Sequence, residues 1–94
     1  MKDELKQQIA ALGRDYGAAR IVLFGSRARG NHRERSDIDL AVFGLPDEQH
    51  GVFLAGIDEL PTLLKFDIVF VDPATSPVLL AEVERDGVTL YEAL

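Results

Sequence analysis

Three aspartates have the residue type and spacing that chemistry needs. Asp37 and Asp39 flank Ile38, so in an extended strand both carboxylates leave one face while Ile38 and Leu40 enter the opposite layer. Two like charges that close repel each other, and a hard divalent cation with oxygen preference is the natural compensation. The chain has no cysteine, so magnesium suits such a site better than zinc. A third carboxylate, Asp67, interrupts the apolar run Phe66-Asp67-Ile68-Val69-Phe70, where burial alone does not account for a charge. If the strands of Asp39 and Asp67 are neighbours, the three carboxylates can bind two ions about 4 Å apart, the separation used for in-line phosphoryl displacement. One ion would then hold phosphates and stabilise the leaving group. The other would acidify an attacking hydroxyl, with Asp67 placed to accept its proton.

Upstream stands Gly25-Ser26-Arg27-Ala28-Arg29-Gly30. A glycine after a strand lets backbone approach a ligand closely, and the free N–H groups of the following helix start favour a phosphate. Ser26 can add a hydroxyl donor and can cap the short helix. The segment lacks the Gly-Lys-Ser/Thr ending of a P-loop, which excludes that reading. Arg27 and Arg29 flank the turn and are candidates to grip phosphate. With Arg33 and Arg35 they put four of the ten basic residues into one short window that also holds His32. A solvated loop is the competing account of that cluster. His32 and His50 have no second ligand at metal spacing and read as surface residues.

These residues need elements to position them. Leu5, Ile9 and Leu12 repeat at helical spacing after Asp3 and Glu4, with Gly13 or Gly17 as a stop. Arg20 to Phe24 reads as a strand buried on both faces, Asn31 to Ser36 as a polar loop, and Asp37 to Phe43 as a second strand. A helix is expected from Pro46 to Leu60, ended by Pro61, although Gly51 and Gly56 weaken it. Phe66 to Val71 is a third strand, and Asp72 before Pro73 starts a turn. Ser76-Pro77 opens a helix to about Asp86 with Gly87 as its C-terminal cap, and Val88 to Tyr91 adds an edge strand, where Tyr91 packs. The alternation of helices and strands defines an α/β sheet of three to four strands layered with helices.

Size and composition set outer bounds. With 94 residues, 47% hydrophobic and 28% charged, the chain reads as one globular domain over 1–94. No apolar run is long enough to cross a bilayer and MKDELKQQ has no signal-peptide character, so a cytoplasmic location is the expectation. The net charge of −6 disfavours a nucleic-acid backbone as direct partner.

The Gly25-Ser26 turn, Asp37-Ile38-Asp39 and Asp67 together resemble the signature of the polymerase-β-like nucleotidyltransferase superfamily. Gly25 to Gly30, Ser36 to Leu40 and the closing Asp86-Gly87-Val88-Thr89-Leu90-Tyr91 look like the minimal nucleotidyltransferases, or MNT antitoxins. The resemblance implies a small mixed sheet of the polymerase-β palm type, two magnesium ions on Asp37, Asp39 and Asp67, ATP as substrate at Gly25 and Ser26, and Asp67 as base. It also implies a HEPN-type RNase toxin as partner, neutralised by transfer of AMP to a tyrosine. Relatives that act on nucleic acid or drugs need further domains, so a partner protein is expected to bring the acceptor. The competing expectations are an antitoxin that only binds, with a silent nucleotide site, and a metal-dependent phosphohydrolase on the same carboxylates.

Overall fold

A computed structural model describes residues 1–33 and 36–94, so Arg35 of the basic window lies outside the described residues. Helix α1 runs Asp3–Tyr16 and buries Leu5 and Ile9 on one stripe, with Leu12 beside them. Gly17 ends it in the left-handed conformation at φ 87°, donating its N–H to the Gly13 carbonyl. Gly13, the other expected stop, lies inside the helix. A Cβ there would sit 2.7 Å from Ile21 Cδ1 and 2.9 Å from Tyr91, so its missing side chain lets α1 lie close on the sheet.

Strand β1 is Arg20–Phe24, α2 is Ser26–Arg29, and β2 is Ile38–Phe43. A 3-10 turn at Asp47–Gln49 leads into α3, His50–Asp58, so the element expected from Pro46 to Leu60 is divided and shorter. Strand β3 is Phe66–Val71, α4 is Pro77–Asp86 and β4 is Val88–Glu92. The four strands lie in the order β3-β2-β1-β4; β1 is antiparallel to β2 and β4, and β2 is parallel to β3. This is the expected small mixed sheet. Central β1 buries Ile21 through Phe24, because helices cover both of its faces.

Alternation divides the core. Ile21, Leu23, Ile38, Leu40 and Val42 meet α1 and α3, where Phe53 is fully buried. Val22, Phe24 and Ala41 face the other way, toward Val83 of α4. Asp39 alternates with Leu40 and therefore shares the α4 side with Ala41, while Asp67 shares it with Val69. Helix α4 packs chiefly over β1, leaving that side of β3 half-covered. Gly87 is the C-terminal cap of α4 as expected, donating its N–H to the Val83 carbonyl at 2.9 Å. It is extended at φ −66° and ψ 146°, and a Cβ there would strike the Val83 carbonyl and Val22.

Both histidines depart from the surface assignment. The His50 ring stacks on Phe70 at 3.8 Å and its Nε2 donates to the Leu45 carbonyl at 3.0 Å. His32 is half-buried, and its Nδ1 is buried without a hydrogen-bond partner among the described residues. Asp72 starts a turn as expected, accepting from the Ala74 N–H at 2.8 Å, and Tyr91 packs into the core. Among the described residues no helix is long and apolar enough to cross a membrane.

Candidate functional site

The parallel ladder of β2 and β3 places Asp39 opposite Asp67, and the antiparallel ladder places Asp39 opposite Phe24. Phe24 is the last residue of β1, so the chain turns away at Gly25 beside the Asp39 carboxylate. Gly25 adopts φ 75° and ψ −156°, and a Cβ placed on it would run into Asp39 Oδ2. Both observations demand glycine: the backbone conformation disfavours a side chain, and the carboxylate occupies the space one would take.

Asp37 lies one residue outside the ladder rather than within a strand from 37 to 43, because pairing begins with Ile38, whose N–H donates to the Lys65 carbonyl at 2.8 Å. Asp37 and Asp67 are exposed and Asp39 is half-buried. The exposure of Asp67 follows from its position on an edge strand, which also removes the puzzle of a charge in an apolar run.

Asp67 and Asp37 are close enough to disturb Asp39. Asp39 is held above the usual carboxylate range by its burial, then by the charges of Asp67, Asp37 and Glu82, with Arg29 opposing. Folding thus brings Asp37 and Asp67 near the Asp39 carboxyl group. Glu82 has no local signature in the sequence, and it joins the site only through the packing of α4 on β1. Among the described residues no three acidic or imidazole side chains converge into a ready-made cation cage. The donor set nevertheless suits a hard dication: the groups around Asp39 are carboxylates, and a cation would relieve the repulsion.

At the phosphate turn Gly25 takes the N-cap position and Ser26 is the first helical residue, with no side-chain capping bond. The expectation that Ser26 caps α2 is corrected, because the φ 75° turn that clears Asp39 can be made only one residue earlier, at the glycine. The start of a helix carries partial positive charge that favours a phosphate. Arg27 donates from Nε to the Ser36 carbonyl at 3.0 Å, pinning the residue that precedes Asp37. Arg29 Nη1 meets Glu82 Oε1 at 3.2 Å. The Arg33 N–H donates to Ser36 Oγ at 2.9 Å.

Two clefts, of about 610 and 480 Å³, are lined by residues such as Leu5, Gln8 and Leu64 or Leu54, Ile57 and Phe66; neither is lined by Asp39 or Asp67. Asp37 and Asp67 are reachable from solvent. That geometry suits a reaction whose second substrate is large.

A Gly-turn abutting an Asp on a paired β2–β3 ladder is the arrangement of a nucleotide-transferring palm. Residues 7–93 match the polymerase beta nucleotidyltransferase family, and the chain belongs to that family. It is 32% identical over 88 residues to a candidate protein adenylyltransferase of Methanocaldococcus jannaschii, covering 92% of this chain and 90% of that one. Among solved structures it is similar to a toxin–antitoxin complex with AMP-PNP, at 28% identity and TM-score 0.68, over 94% of this chain and 73% of that one. It is similar also to a complex of the tri-AMPylated HEPN toxin of Shewanella oneidensis with its MNT antitoxin, at 25% identity and TM-score 0.64, over 99% of this chain and 74% of that one.

Proposed function

We propose that this chain transfers AMP from ATP to a hydroxyl, a tyrosine in particular, of a HEPN-type toxin and thereby acts as its antitoxin. The observation that carries the proposal is the in-register pairing of Asp39 with Asp67 beside the Gly25 turn. It is supported by relatives captured with AMP-PNP and with an AMPylated toxin.

In this reading the Gly25–Ser26 turn receives the triphosphate on backbone N–H groups, with Arg29 adding a cation, while Arg27 steadies the approach to Asp37 through the Ser36 carbonyl. Asp37, Asp39 and Asp67 hold magnesium, which when bound neutralises the phosphates and the departing pyrophosphate. The acceptor oxygen bonds to the α-phosphorus as the bond to pyrophosphate breaks, and the hydroxyl proton passes to Asp67. Asp67 is suited to that task by its exposure on the edge strand, where a partner protein can reach it. Positioning and charge stabilisation supply most of the rate.

Incubation with ATP labelled at the α-phosphate, magnesium and the product of the neighbouring gene tests the proposal. Label on the partner's tyrosine is the expected result, abolished by Asp37→Ala with Asp39→Ala. Absence of label, with cells still protected by the double variant at equal abundance, would establish a purely binding antitoxin. Release of free AMP without an acceptor would establish a phosphohydrolase.

A further inference from the structure

Glu82 is the acid near Asp39 that the nucleotide site leaves unused. Its Oε1 lies 3.2 Å from Arg29 Nη1, joining α4 to the helix that follows the Gly25 turn, and the side chains remain 32% and 39% exposed. The pair is therefore open to exchange. A structural tether explains it poorly, because α4 is already anchored by buried Val83 and by the 2.8 Å pair of Arg20 with Glu84. Asp86, one turn along α4, also feels Arg29, but it is engaged by Arg85 at 3.0 Å, so Glu82 is the partner that holds the guanidinium.

We propose that Glu82 holds Arg29 in a competing ion pair beside the carboxylate site, and that an incoming nucleoside triphosphate displaces Glu82 and takes the guanidinium onto its phosphates. The inference rests on the nucleotide-transfer reading and adds a specific exchange of ion pairs to it. A guanidinium fork matches phosphate oxygens at least as well as a carboxylate, and a triphosphate brings more negative charge than Glu82. Glu82 thus competes with the substrate for Arg29.

The test is equilibrium binding of ATP with magnesium to the full chain, alongside melting temperature and steady-state kinetics. Glu82→Gln should tighten ATP binding several-fold and lower KM at nearly constant kcat, whereas Arg29→Met should weaken binding by about tenfold. The exchange Arg29→Glu with Glu82→Arg should restore the ion pair and the melting temperature of the native chain while binding stays as weak as in Arg29→Met. A merely structural pair predicts the reverse: unchanged or weaker ATP binding in Glu82→Gln, and recovery of binding in the exchanged variant. Either result overturns the inference while leaving the transfer reading standing. Failure of the unaltered chain to bind ATP overturns both.

Discussion

Asp39 and Asp67 occupy opposite positions in the parallel ladder of β2 and β3, although 28 positions separate them in the chain. Asp39 is half-buried beside Gly25 and its carboxyl resists ionisation; Asp67, on the edge strand, is exposed. One pairing thus joins a carboxylate that asks for a cation to one that a partner protein can reach.

The raised pKa of Asp39 makes a prediction about stability. A carboxyl that holds its proton more tightly folded than unfolded destabilises the fold once ionised, so its contribution turns unfavourable as pH rises from the ordinary carboxylate range through the raised value. Asp39→Asn should therefore raise the melting temperature at neutral pH, with the gain vanishing below the ordinary carboxylate range. Magnesium should raise the melting temperature of the native chain and leave that of Asp39→Asn nearly unchanged. Parallel thermal melts across pH, with and without the ion, check both statements.

Gly25 and Gly30 carry different backbone strain, and steric intrusion is added at Gly25. Gly30 is left-handed at φ 80°, and a Cβ there would find nothing within 4 Å among the described residues, so Gly30→Ala should cost about 1–2 kcal/mol from conformation alone. Gly25, at φ 75° and ψ −156°, lies in a region essentially confined to glycine, and a methyl there also runs into Asp39, so Gly25→Ala should cost more in urea denaturation and abolish AMP transfer.

Asp67→Asn distinguishes proton acceptance from nucleotide holding. Its kcat for transfer should fall about 10²–10⁴-fold, while ATP binding changes much less than in the Asp37→Ala, Asp39→Ala variant. Single-turnover rates at saturating ATP and equilibrium titration measure the two effects separately.

Leu40 follows Asp39 in β2, is fully buried against the α1 and α3 side, and fixes the strand that presents the aspartate. Leu40→Ala should lower the unfolding free energy by about 2–5 kcal/mol in denaturant titration.

Much of this was written locally. The apolar run from Ile21 to Phe24 announces a strand covered on both sides, since only a central strand between helices can bury consecutive residues. The Asp37-Ile38-Asp39 spacing and the glycine after β1 likewise declare their chemistry through neighbours in sequence. Local reading fails where distant groups compete. Ser26 cedes the cap to Gly25 because Asp39 crowds the turn. His50 leaves the surface for Phe70, a residue of β3.

By itself, the sequence determined that Asp37 and Asp39 stand two residues apart and that a glycine turn ends the first strand, because strand periodicity and glycine's conformational freedom act over a few residues. Only the tertiary structure decided that the Gly25 turn abuts Asp39, that Asp67 faces Asp39, and that Glu82 of α4 holds Arg29. Those relations depend on strand order and on how helices seat against the sheet, and both are set by burial summed over the whole chain.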